Sequence, residues 1–177
     1  MKNNYDYNFI NEGNIIVNEF ETNTGYSYPV TVTFNKGYYH KTSMDIKIPQ
    51  FYLENIIINE GIEEIPPFAV ADSEKLTNIK FPSTLKEIGE SAFEGCSSLK
   101  NIKFPEGVER IYEYAFAFCY DLETVIIPSS MKCIETNAFH RCINLKYFIV
   151  LNPEMDVSNI ELPDECKIIR GVEEKRW

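Results

Sequence analysis

The chain has 177 residues, of which 44% are hydrophobic and 25% charged, a balance that fits one folded domain and excludes a disordered or low-complexity chain. Its formal net charge of −10 argues against nucleic-acid binding, which needs lysine and arginine to neutralise phosphates, and against docking on an anionic membrane. No run of 18 apolar residues is available for a membrane-spanning helix.

The first segment, MKNNYDYNFINEG, carries one lysine but no apolar stretch of the kind a signal peptide needs. That leaves a cytoplasmic location, or an export segment supplied from outside this sequence. Residues 1–50 are rich in Val, Thr, Tyr and Ile, in NIIVNEF, YPVTVTF and YYHKTSMDIKIP, with NTG and NKG as turn signals between them. They predict an antiparallel hairpin or small sheet capping whatever follows; a separate ligand-binding subdomain is the alternative.

From residue 51 to 153 the chain repeats itself with a period of 23 residues. The units start at Leu85, Val108 and Met131, and Ile88, Ile111 and Ile134 are equivalent. Ala92-Phe93 recurs as Ala115-Phe116 and Ala138-Phe139; Cys96, Cys119 and Cys142 fall in step, followed by Leu99, Leu122 and Leu145. A weaker copy runs through Ile62, Ile65, Ala69, Leu76, Ile79 and Phe81, and Leu53, Ile56 and Ile58 give one more strand-like piece. In each unit a stretch such as LKNIKF alternates apolar and polar residues as a half-buried strand does, and proline ends it. The return half, LKEIGESAFEGC, predicts a turn and a short helical or 3₁₀ segment that carries Ala-Phe inward. One such unit cannot bury its own apolar face, so the units must stack.

The pattern LxxIxxxAFxxCxxLxxIxxP resembles the BspA-like, Treponema-type leucine-rich repeat family. The resemblance implies an α/β leucine-rich repeat solenoid with a parallel sheet on one face and short turns opposite. It also implies attachment, matrix binding or host contact, on proteins that are usually exported to the cell surface. Residues 154–177 then form a degenerate capping coil, with Ile168 one period beyond Leu145.

No nucleophile, phosphate-loop, dinucleotide or zinc-protease motif occurs, which points away from an enzyme and from any cofactor. His40 falls in the N-terminal segment, and His140 takes a slot filled by Glu94 and Ala117, which reads as solvated surface. Cys96, Cys119 and Cys142 form a row of three, which offers zinc neither four ligands nor a tetrahedron, so they read as small buried hydrophobes. The odd total of five cysteines favours reduced thiols.

Recognition must therefore lie where sister units differ. On the sheet face one column runs Ile57, Lys80, Lys103, Ile126, Ile149, and its neighbour ends in Tyr147, giving a basic middle and an apolar C-terminal patch. On the return half, YEYAFAFCY places Tyr112, Tyr114, Phe118 and Tyr120 where the preceding unit has Gly89, Ser91, Gly95 and Ser97. Both surfaces are expected to bind a protein or glycan partner, with self-association through the aromatic patch as the structural alternative.

Overall fold

The computed structural model describes residues 15–19, 30–34 and 53–171. The chain opens with β1 (Ile15–Glu19) and β2 (Val30–Phe34), an antiparallel pair whose second strand lies parallel to β3 (Leu53–Ile58). The segment YYHKTSMDIKIP, with His40, and residues 172–177 fall outside the described residues, as do the expected turns NTG and NKG.

The repeating units then wind as coils. Following β3, the opposite side of the coils carries β4 (Glu64–Ile65), β6 (Glu87–Ile88), β8 (Arg110–Ile111) and β10 (Cys133–Ile134). These pair in parallel so that Ile65, Ile88, Ile111 and Ile134 stand in register. Sheet-face strands are β5 (Asn78–Lys80), β7 (Asn101–Lys103), β9 (Thr124–Ile127), β11 (Tyr147–Val150) and β12 (Lys167–Arg170). Repetition at 23 residues thus becomes a parallel-sheet solenoid.

The return half departs from the helical segment expected of it: no helix forms among the described residues. Alternate amides point in different directions instead. Ala92, Glu94 and Cys96 donate three residues back, to the carbonyls of Gly89, Ser91 and Phe93, while Ser91, Phe93 and Gly95 donate to Glu113, Ala115 and Ala117 of the next coil. A helix would turn every amide back along its own coil, whereas here half of them stitch one coil to the next. The alternation is kept by residues in the left-handed region: Phe68 and Asp72, then Ser91 and Gly95, then Tyr114 and Phe118, then Arg141, with φ between 53° and 72°.

Inside, the regular spacing of Phe becomes a column of rings. Phe93 and Phe116 stack with centroids 5.0 Å apart, and Phe116 and Phe139 at 5.6 Å, within 9° of parallel. Phe104 and Phe148 close the column edge-on against Phe116 and Phe139. Cys96, Cys119 and Cys142 are buried beside it, and each Sγ donates to a carbonyl of the preceding coil, those of Val70, Phe93 and Phe116 at 3.1–3.5 Å. Burial pushes the thiols of Cys96 and Cys119 well above the ordinary range, so they stay protonated and inert. All five cysteines are free.

At the turn after each sheet strand the coils alternate in kind. Glu60-Gly61 and Glu106-Gly107 use glycine at φ 91° and 104°, while Ser83-Thr84 and Ser129-Ser130 do not need it. The Glu60 carboxylate accepts from the amide and hydroxyl of Ser83, and Glu106 does the same with Ser129. The bond to the Ser83 amide holds the Glu60 carboxyl below its ordinary value. Thr84 and Ser130 complete the clamp by accepting from the Gly61 and Gly107 amides and donating to the carbonyls of Ile62 and Val108. Coils are therefore tied in pairs. The step from Ser83 to Glu106 has no such clamp among the described residues, and there the sheet face divides: β5 pairs with β3, β7 pairs with β9, and β5 and β7 belong to different sheets. Behind this seam Ile79 and Phe81 are only partly buried, although Ile102 and Phe104 in the same slots are covered.

The last coil is short. β12 pairs with β11 so that Ile168 stands beside Phe148, twenty residues away rather than 23, and not one period from Leu145. The loop between them folds Met155, Val157 and Ile160 into the core, and Arg170 ties it down through the carbonyls of Pro153 and Met155.

Three outcomes are expected. Phe116→Ala removes the ring stacked on both sides and should cost about 3–5 kcal/mol in denaturant unfolding. Native thiol titration should find Cys133 fastest, Cys166 slower because burial raises its pKa, and all five only after denaturation; reaction of a third thiol in the folded state would contradict the buried row. Amide exchange at Asn101, which has no bond to the Thr77 carbonyl, should run at least ~10-fold faster than at Thr124, which donates to Lys100. Equal protection at the two positions would show the seam closed in solution.

Candidate functional site

The two surfaces singled out by sequence fare differently. On the sheet face Lys80, Lys103 and Tyr147 are exposed and Ile126 is half-buried. Ile149, expected as an outward anchor, is fully buried. The reason is β12: it adds a strand beyond β11, so Ile149 sits in an interior strand in register with Ile126 on one side and Ile169 on the other. The expected apolar patch therefore shrinks to Tyr147, which is 40% exposed, beside the Lys146–Glu123 ion pair at 3.0 Å.

On the turn face the four aromatics come together as a ridge. Phe118 meets Tyr120 edge-on at 6.3 Å between centroids, and His140 from the next coil at 5.5 Å. His140 is also edge-on to Tyr114 at 6.2 Å, so it stands between the two rings rather than in open solvent. Its Nδ1 lies 2.8 Å from Oε2 of Glu161, which pins the ridge to the C-terminal loop. The Tyr114 hydroxyl accepts from Nδ2 of Asn137, which also donates to Oε1 of Glu113. Tyr112 donates to Glu87 at 2.9 Å, which raises its phenol above the ordinary value, and the Arg110 guanidinium lies 5.4 Å over its ring. Tyr120 and, one coil on in the same slot, Ile143 are 42% and 63% exposed.

Tyr114 and Phe118 occupy the left-handed slots, with φ of 56° and 58°, where the preceding coil has Ser91 and Gly95. A bulky side chain there costs on the order of 1–3 kcal/mol. The shared core does not require these rings, because the sister coil folds without them. Slot comparison also identifies Phe68, left-handed and 39% exposed, two coils before Tyr114 in the same column. The partnership of His140 with Glu161 has no sequence signal, since Glu161 lies beyond the regular repeats.

No group of three or more His, Cys, Asp or Glu among the described residues could hold a metal ion. No helix among them is long and apolar enough to cross a membrane.

No curated protein matches the chain, but solved structures do. A leucine-rich repeat protein from Bacteroides ovatus is 34% identical with a TM-score of 0.59, over 67% of this chain and 30% of that one. The T. pallidum leucine rich repeat protein shares the fold at 20% identity and a TM-score of 0.62, covering 89% of this chain and 80% of its own. A leucine rich cell surface protein from Faecalibacterium prausnitzii is 27% identical with a TM-score of 0.51, over 81% of this chain and 39% of that one. The chain thus spans under a third of the B. ovatus protein and well under half of the F. prausnitzii one. The BspA type leucine rich repeat region matches in six copies across residues 49–161, most of the chain, and the protein belongs to that family.

Proposed function

We propose that this chain is a non-enzymatic interaction module that recognises a protein or glycan partner through the aromatic ridge of Tyr112, Tyr114, Phe118 and Tyr120. The observation that carries this reading is the pair of rings held in left-handed backbone slots where a sister coil manages with serine and glycine. Strain of this kind persists where the surroundings impose it, and it gathers at functional sites. Tyrosine and phenylalanine also supply large, rigid area at low conformational cost, which suits an interface core. The sheet face, with Lys80, Lys103, Ile126 and Tyr147, is the secondary candidate, weakened by the burial of Ile149. Residues 1–50 serve as the N-terminal cap, 51–153 as the solenoid and 154–177 as its C-terminal closure in this reading. The cell surface is the compartment favoured by the F. prausnitzii protein's description.

A second reading, self-association, has its own support in Ile143 and Ile168, 63% and 46% exposed toward the C-terminal end. Sedimentation across a concentration series distinguishes it, since a monomer at every concentration removes it.

The repeat itself supplies the variants for the main test. Tyr114→Ser, Phe118→Gly and Tyr120→Ser write the preceding coil's residues into the ridge, and Tyr147→Asn does the same on the sheet face by copying Asn101. Immobilised parent and variants are compared for partners retained from material of the source environment, with unfolding midpoints as the control. The ridge triple variant is expected to lose retained material at least ~10-fold while Tyr147→Asn keeps it. Equal retention by the parent and the ridge variant would end the ridge assignment.

A further inference from the structure

The ridge is bordered by carboxylates that no lysine or arginine neutralises within hydrogen-bonding distance. Glu87 accepts from the Tyr112 hydroxyl. Glu113 accepts from the Asn137 amide, and Glu135 accepts from the Glu113 backbone amide at 3.0 Å. Glu161 pairs with His140, which is charged only when protonated, and its side chain remains 55% exposed. Elsewhere the chain satisfies glutamates with lysine, as in Glu109 with Lys132 and Glu123 with Lys146. The ridge glutamates are thus oriented without a permanent counter-charge and keep their negative charge at the same surface as the rings. Of the ridge's own cations, Arg110 is drawn over the Tyr112 ring, and Arg141 stands exposed one coil beyond Phe118 in the same slot. The chain as a whole is at −10.

Rings flanked by uncompensated carboxylates attract a guanidinium or ammonium through both the ring quadrupole and the charge. Arg110 over Tyr112 is the same arrangement made within the chain. We propose that the ridge binds an arginine-bearing, cationic segment of a partner protein, with guanidinium groups seated on Tyr114, Phe118 and Tyr120 and paired to Glu113, Glu135 and Glu161. This rests on the ridge being the recognition surface and adds the chemistry of what it recognises. Arginine is favoured over lysine because its planar fork both stacks on a ring and pairs two-fold with a carboxylate. Neutral glycans, which also stack on tyrosine, are the competing class.

The test titrates the full chain with three fluorescent probes: a Gly-Arg repeat peptide, a Gly-Lys peptide of equal length and charge, and a neutral oligosaccharide series. The Gly-Arg peptide is expected to bind at least ~3-fold more tightly than Gly-Lys. Phe118→Gly with Tyr120→Ser, and separately Glu113→Gln with Glu135→Gln, should each weaken it at least ~10-fold. Neutralising distant Asp164 by Asp164→Asn should change it less than ~2-fold. Equal loss on Asp164→Asn, equal binding of both peptides, or undiminished binding by the ring variant would reduce the effect to net charge and overturn the proposal. Oligosaccharide binding without peptide binding would overturn it too, while leaving the ridge as the recognition surface. Thermal unfolding of each variant guards against a loss due to misfolding. If the ring variant is unstable, the glutamine pair, which keeps the hydrogen-bonding shape, decides the outcome.

Discussion

The fold depends on the direction of alternate amides in the return half of each coil. Because Ser91, Phe93 and Gly95 donate along the solenoid axis and the residues between them donate back along the chain, each coil is bonded to its neighbour on a third side as well as through its two kinds of strand. A single coil would leave those axial donors without partners, and an unmet buried amide is costly. Stacking is thus demanded by hydrogen bonding as much as by the apolar column of Phe93, Phe116 and Phe139. The same constraint fixes which positions adopt left-handed backbone, and so fixes where an unusual side chain carries information.

The stitch is continuous along the turn face, where Phe68, Val70 and Asp72 donate to Glu90, Ala92 and Glu94. The sheet face is not. There the two Glu-Ser clamps tie coils two at a time, and the seam between β5 and β7 falls at the step lacking a clamp. A sheet strand of three residues makes few ladder bonds, so a carboxylate accepting two hydrogen bonds at its end is a substantial fraction of what holds it in place. The repeat is 23 residues in its interior and twice that in its turn chemistry.

The period, the core columns and the buried cysteine row are all legible in the sequence, because burial in a stack repeats with the stack. The return half is not, for a definite reason. LKEIGESAFEGC satisfies a local helical pattern, and local patterns presume local hydrogen bonds, whereas half of these amides bond to residues 22 positions away, as Ser91 does to Glu113. The places of Ile149 and Ile168 are hidden by the same assumption of regularity. A last coil three residues short brings β12 beside β11 and shifts the pairing, and nothing in IELPDECKIIR announces the deletion. The ridge is visible in sequence because it breaks the repeat. The setting of His140 is not, because its partner Glu161 lies outside the periodic region and is brought to it by the loop that closes the core.

What turns the ridge from an irregularity into a surface is its rigidity. A flexible tyrosine cluster loses rotamer freedom when it meets a partner, and that loss subtracts from affinity. Here the ordering is already done within the fold. Tyr112 is tethered to Glu87, Tyr114 to Asn137, and Phe118 is wedged between Tyr120 and a histidine itself held by Glu161. The left-handed backbone at Tyr114 and Phe118 is in turn enforced by the axial bond of Phe118 to the His140 carbonyl and by those of its neighbours. The interaction that makes the solenoid is therefore also the one that orients its most distinctive side chains. A partner would meet rings already in place, on a scaffold whose interior keeps them there.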